Sequence, residues 1–115
     1  MSEAAPIALF SYGTLRQAEV QIANYGRLLD GRPDVLVGYR LAPVAIADPD
    51  VVRISGKAVH TIAVASGAPH DRIEGVVFTL GEAELAATDA YETDAYARVK
   101  VLLESGRLAW VYVAI

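Results

Sequence analysis

Apolar residues fall in short runs separated by Gly, Pro, Asp and Ser, and this punctuation predicts a strand-rich chain. Residues 7–12 read as a short buried strand. Residues 16–29 read as a helix with Val20, Ala23 and Tyr25 on a partial stripe and Gly26 near its end. Gly31-Arg32-Pro33-Asp34 reads as a loop, residues 35–41 as a second strand, and residues 42–47 as its continuation beyond Pro43. Asp48-Pro49-Asp50 marks a turn, and residues 51–54 and 58–65 form a strand pair around Ser55-Gly56. A loop at Ser66-Gly67-Ala68-Pro69 precedes a strand at 72–80 rich in β-branched and aromatic residues. Thr79-Leu80-Gly81-Glu82 has the form of a capping box, with Thr79 as N-cap and Glu82 at N3 of a helix running to about Tyr91. Residues 97–103 alternate, with Arg98 and Lys100 on one face and Val99 and Val101 on the other. Glu104-Ser105-Gly106 is a hairpin turn into a last strand at 107–113.

Regular strand–helix–strand alternation is absent, so a doubly wound sheet is not expected. The expected class is α+β: a mixed, mostly antiparallel sheet, curled or barrel-like, with flanking helices. The 115 residues make one domain, able to bury about 65% of the surface its unfolded chain exposes. A hydrophobic fraction of 54% against 21% charged argues against disorder. The net charge of −4, with scattered basic residues, argues against a nucleic-acid footprint and a basic membrane-binding helix. The absence of cysteine excludes disulfides, thiolate metal sites and a Cys nucleophile, and fits a cytoplasmic setting. Residues 1–6 lack the positive region of a signal peptide, and no run reaches the length of a membrane span.

Chemistry concentrates at two places. Tyr12-Gly13-Thr14-Leu15 follows the apolar run directly, and a strand ending in a Gly-containing turn leaves N–H groups without ladder partners. Such groups converge on an anion or a polarised carbonyl oxygen, although Gly13 could equally serve only to permit a positive φ. Arg16 follows, as a helix-start surface residue or an attractor of anions. The second place is residues 89–98. Glu92 and Asp89 are either solvated helix-end carboxylates, or Glu92 projects into a pocket and moves a proton. Tyr96 and Arg98 share a strand face: Tyr96 packs on the core or walls the pocket, and Arg98 faces water or braces a carboxylate through its bidentate fork. His60 and His70, ten residues apart with no cysteine, make a poor metal set. Ser66, His70 and Asp71 are loop neighbours without a nucleophile elbow. Glycine-rich nucleotide loops are absent, so no cofactor is expected.

Read in order, Phe10-Ser11-Tyr12-Gly13-Thr14-Leu15-Arg16, Gly38-Tyr39-Arg40-Leu41, Ile73-Glu74-Gly75-Val76-Val77-Phe78, Asp89-x-x-Glu92 and Tyr96-x-Arg98 resemble the γ-glutamylcyclotransferase-like (AIG2-like) family from about Ile7 to Val113. The resemblance implies a small mixed barrel with flanking helices. It also implies a loop at Tyr12, Gly13, Thr14 and Leu15 whose amides hold a γ-glutamyl group, with Tyr96 and Arg98 completing the substrate site and Glu92 as acid/base. The implied reaction converts a small γ-glutamyl compound into 5-oxoproline and a released amine or amino acid, the substrate's own α-amine being the nucleophile. Glu92, ionised at rest, would take a proton from the α-ammonium and return it to the departing nitrogen.

The chain departs from the family pattern at Gln17-Ala18-Glu19-Val20, which lacks a glycine some relatives carry, and at Thr93-Asp94-Ala95, which lacks the frequent proline or glycine. It ends at Ile115, soon after its last strand, so a covering C-terminal segment is expected to be missing, leaving the pocket open or closed by a partner subunit. Two other readings stand beside the first: the same ring closure applied as a deprotecting step to a larger biosynthetic intermediate, and a catalytically silent module that binds a carboxylate-bearing ligand. Leaving group and oligomeric state, monomer or homodimer, stay open.

Overall fold

The computed structural model describes residues 6–45, 59–92 and 96–114. Among the described residues, seven strands and two helices follow in the order β1 (Ile7–Ser11), α1 (Ala18–Tyr25), β2 (Gly31–Val37), β3 (Tyr39–Ala45), β4 (Val59–Ala65), β5 (Arg72–Leu80), α2 (Glu82–Tyr91), β6 (Tyr96–Leu102) and β7 (Leu108–Ala114). The strands form one sheet in the order β2-β5-β1-β7-β4-β3, with β6 pairing only β7 off this path. Four pairings are antiparallel; β1 and β4 each run parallel to β7. The sheet is mixed and unclosed, as befits a curled α+β architecture.

Strands β2 and β3 lie at opposite ends of this order, yet only Gly38 separates them. The sheet must therefore curl until its ends meet at that corner. Gly38 turns with φ +83°, a region other residues rarely enter. Its N–H donates to the Asp71 carbonyl (2.8 Å), and its carbonyl accepts from Ser66 N–H (2.9 Å), so the β4–β5 loop straps the corner. Alternation along the strands then gives the sheet two apolar faces. The concave face packs Phe10, Leu36, Ile73, Val77, Val111 and Val113. The other face packs Leu9, Leu15, Phe78 and Tyr112 beneath the helices, which contribute Val20 and Tyr91.

Some expectations need correction. The supposed loop at Gly31–Asp34 is the first half of β2. Pro33 is tolerated because β2 is an edge strand, where a missing N–H breaks no ladder on its open side. Pro43 likewise lies inside the edge strand β3 rather than interrupting a longer one. The first helix is shorter than 16–29, because Thr14–Arg16 form a separate 3-10 turn and Gln17 is extended. Val20 is buried there, but Ala23 is exposed, and Gln21 is the other inward residue. The cap of α2 is Gly81, whose N–H donates to Glu84 Oε1 (2.9 Å); Thr79 belongs to β5. The expected turn at 48–50, strand at 51–54 and linker at 93–95 lie outside the described residues.

Candidate functional site

The site arises from a fork in the sheet. One edge of β7 is shared: β1 takes it at Trp110, through Leu9, and β4 takes it at Val113, through Ala63. Where β1 leaves and β4 begins, backbone groups lose their ladder partners and a side chain must bridge the gap. Tyr12 does this. Its buried hydroxyl donates to the Tyr112 carbonyl (2.5 Å) and accepts from Ala63 N–H (2.8 Å). Burial raises its pKa, so it stays protonated at any ordinary pH. Tyr12 borders the cleft, but its hydroxyl is committed to the fold.

The cleft opens at this fork, with about 650 Å³ of space including its mouth. Residues 11–16 line one side; Glu92, Tyr96, Tyr112 and Thr61 line the rest. In the loop, Gly13 and Thr14 carbonyls accept from Arg16 N–H (3.2 Å) and Gln17 N–H (2.9 Å). The N–H groups of Gly13, Thr14 and Leu15 have no acceptor among the described residues, as expected of the first turn of any helix. Gly13 does not use a positive φ: its backbone is at φ −123°, ψ −145°. No protein atom lies within 4 Å of where a Cβ would stand, so its bareness keeps space open rather than relieving strain. The Leu15 side chain is buried in the core under α1, so only its backbone serves the cleft. Beside the loop, Gly75 of β5 lets the backbone approach closely: a Cβ there would collide with the Ser11 carbonyl oxygen and stand 2.6 Å from Phe10 Cζ.

The loop is tied to the end of α2. Thr14 Oγ1 hydrogen-bonds the Tyr91 hydroxyl at 2.8 Å, and Glu92 follows Tyr91 directly. Glu92 is the C-cap of α2: its N–H donates to the Thr88 carbonyl (3.0 Å), while its backbone has turned extended. Its carboxyl lines the cleft and meets no cation or hydrogen-bond donor among the described residues. Burial alone raises its pKa from 4.5 to about 8, because desolvation penalises the charged form. At neutral pH this carboxyl is therefore mainly protonated, whereas the family resemblance implied one ionised at rest. Three tyrosines, Tyr12, Tyr96 and Tyr112, line the cleft with it, and its negative charge opposes ionisation of these and of Tyr25 and Tyr91.

Tyr96 walls the cleft and donates to the Thr61 carbonyl at 3.2 Å, closing the space between β6 and β4. Arg98 is not at the cleft, which corrects its assignment to substrate binding. Its guanidinium engages both oxygens of Asp89 (2.8 and 3.2 Å) and lies 4.4 Å from the Trp110 ring centroid. Asp89, three residues before Glu92, also points away from the cleft and accepts the Tyr112 hydroxyl (2.6 Å). Arg16 lines the mouth, its Nε donating to the Gly13 carbonyl (3.1 Å). Sequence patterns did not single out Ser11, Thr61 and Tyr112, because they reach the cleft through pairings far apart in the chain. Nor did they single out Thr88, which donates to the Glu84 carbonyl (2.8 Å) and accepts from Tyr25 (2.5 Å), locking α1 to α2. Among the described residues no cluster could hold a metal ion, and no helix is long and apolar enough to cross a membrane.

Comparison with solved structures finds the same fold. An Arabidopsis thaliana protein solved in solution superposes with a TM-score of 0.70 at 24% identity, over 99% of this chain and 65% of its own. An uncharacterized protein from Homo sapiens matches with a TM-score of 0.73 at 17% identity, over 97% and 68%. A structure described as gamma-glutamyl cyclotransferase matches with a TM-score of 0.69 at 16% identity, over 96% and 68%. This chain thus spans about two thirds of the length of each. No curated protein matches it in sequence. The family model for gamma-glutamyl cyclotransferase, AIG2-like, matches residues 9–115, a span that holds the fork, the loop and Glu92. The chain belongs to the gamma-glutamyl cyclotransferase, AIG2-like family.

Proposed function

We propose that the cleft closes a γ-glutamyl compound on itself, releasing 5-oxoproline and an amine or amino acid. The observation that carries this reading is the pairing, in one cleft, of the amides of Gly13, Thr14 and Leu15, unengaged among the described residues, with a half-buried Glu92 whose pKa is pushed up to about 8. A substrate α-amine has a reference pKa of about 8, so amine and carboxyl are matched and a proton passes between them with little driving force either way. The loop amides receive the γ-carbonyl oxygen as it gains charge. Cyclisation is intramolecular, where well-oriented groups reach effective molarities of about 10⁵–10⁸ M, so the protein need supply no nucleophile.

The protons balance. The substrate enters with its α-nitrogen as an ammonium, and Glu92 in its carboxylate form accepts one proton from it. The free amine attacks the γ-carbonyl carbon and the C–N bond forms. The carboxyl returns its proton to the departing nitrogen as the old amide bond breaks, and the ring nitrogen sheds its surplus proton to the released amine. The cycle consumes no cofactor. Tyr96 and Tyr112 flank the path, and Arg16 at the mouth offers a charge to a substrate carboxylate.

Incubating the protein and its Glu92→Gln variant with a panel of γ-glutamyl amines, dipeptides and larger conjugates, followed by mass spectrometry, tests the reading. The expected result is 5-oxoproline from the parent and none from the variant. Equal binding of γ-glutamyl ligands by both, with no turnover, would replace the enzyme with a binding module.

A further inference from the structure

The Asp89 and Arg98 side chains take no part in the proposed reaction, yet they are joined more firmly than any other charged groups near the cleft. The chain leaves α2 at Tyr91, turns extended at Glu92 and enters β6 at Tyr96. Asp89, one helical turn before this break, and Arg98, two residues into β6, meet across it through two parallel hydrogen bonds of 2.8 and 3.2 Å. Arg98 and Tyr112 are register partners on β6 and β7, so their side chains share a face. Tyr112 donates its hydroxyl to the same Asp89 oxygen at 2.6 Å while its ring walls the cleft. Trp110, two pairs along and so on the same face, supports the guanidinium from below at 4.4 Å, with Lys100 5.5 Å away on the same ring. A helix and two strands thus converge on one carboxylate, and Glu92 caps that helix three residues further on.

We propose that Asp89, Arg98 and Tyr112 form a clamp that holds Glu92 inside the cleft, which makes Arg98 a positioning residue for Glu92 rather than a substrate ligand. The proposal takes from the functional reading only that Glu92 is the group worth positioning. A bidentate Arg–carboxylate pair fixes distance and orientation together, which a point charge would not. Its contribution to global stability is small, because Arg98 and Asp89 are 28% and 43% exposed and solvent screens such pairs. What the clamp governs is local. It ties the last turn of α2 to β6 and β7, and keeps the Tyr112 ring against the cleft. The titratable and charged groups that share the cleft with Glu92 are Tyr12, Tyr96 and Tyr112, with Arg16 at the mouth as the lining cation; Tyr25 and Tyr91 also feel its charge. Releasing that tie lets the end of α2, and Glu92 with it, turn toward water.

The test needs no substrate. With ¹³C-labelled glutamate, the Glu92 carboxyl is titrated by NMR in the parent, Arg98→Gln, Arg98→Lys and Tyr112→Phe, with circular dichroism confirming that each folds. The parent is expected to titrate near 8. Arg98→Gln is expected to lower the midpoint by at least about one unit, a tenfold loss of proton affinity, as water reaches the carboxyl. Arg98→Lys, which keeps the charge but not the fork, restores part of the difference. Tyr112→Phe moves the midpoint in the same direction and carries the test should Arg98→Gln not fold. A folded Arg98→Gln protein with the parent's midpoint would overturn the clamp, as would a parent that titrates near 4.5. A lowered midpoint in a protein that makes no 5-oxoproline would sustain the clamp and reject the proposed reaction.

Discussion

Replacing Glu92 with Gln should abolish turnover and stabilise the protein, and the stabilisation should depend on pH. Below pH 4.5 the carboxyl is neutral in both folded and unfolded chains and costs nothing. Above it the unfolded chain releases its proton while the folded chain keeps its own until about pH 8. Folding then takes up a proton, and stability falls by about 1.4 kcal/mol per pH unit. From pH 4.5 to pH 7 the loss reaches about 3 kcal/mol, and it levels off above the folded pKa. Water at the open side of the cleft screens the ionised form, so this value is an upper bound. Gln keeps the shape and cannot ionise, so the variant escapes the penalty. At about 4 °C per kcal/mol for a domain of this size, Glu92→Gln should melt about 4–12 °C above the parent at pH 7. The two melting curves should converge near pH 4. Thermal melts at half-unit intervals from pH 4 to pH 9 measure the gap directly. A gap of zero at pH 7, or one that stays constant with pH, would falsify the claim that burial holds this proton.

Three further outcomes separate the cleft from the scaffold. Gly13→Ala should leave stability within about 0.5 kcal/mol, since no protein atom opposes the new methyl, yet raise KM or lower kcat for a γ-glutamyl substrate; unchanged kinetics would remove the loop from the site. Gly75→Ala should cost about 1–3 kcal/mol by driving a methyl into Phe10 and the Ser11 carbonyl, and denaturant unfolding reads this directly; a loss below about 0.5 kcal/mol would show that β1 and β5 can part freely. Phe78→Ala should cost about 3–5 kcal/mol, and Trp110→Ala less, because Phe78 is buried under the helices whereas Trp110 is half-exposed beneath Arg98 and Lys100; equal losses would contradict the burial pattern.

Legibility from sequence followed locality. Strand β5 and the β6–β7 hairpin were plain, because β-branched alternation and Gly106 encode them without distant partners. The loop after β1 and Glu92 at the end of a helix were visible as candidates for the same reason. What the string concealed depends on which strands become neighbours. Residues 31–34 look like a loop until an edge position makes Pro33 harmless. Tyr12 reads as part of a binding motif until the fork between β1 and β4 claims its hydroxyl. Arg98 reads as a substrate ligand until Tyr112, its partner across β6 and β7, brings Asp89 to it. Glu92 reads as either a solvated helix end or a pocket carboxylate ionised at rest until the cleft walls, Tyr12, Tyr96 and Tyr112 among them, desolvate it.

The central claim is that the substrate's α-amine closes the ring inside this cleft. A γ-glutamyl substrate carrying ¹⁵N in that amine, incubated with the protein and analysed by mass, tests it most directly. The account predicts 5-oxoproline that retains the ¹⁵N in its ring, with an unlabelled amine released. Labelled glutamate would mean that water, not the amine, attacks the carbonyl, and the proposed chemistry of Glu92 and the loop would be wrong.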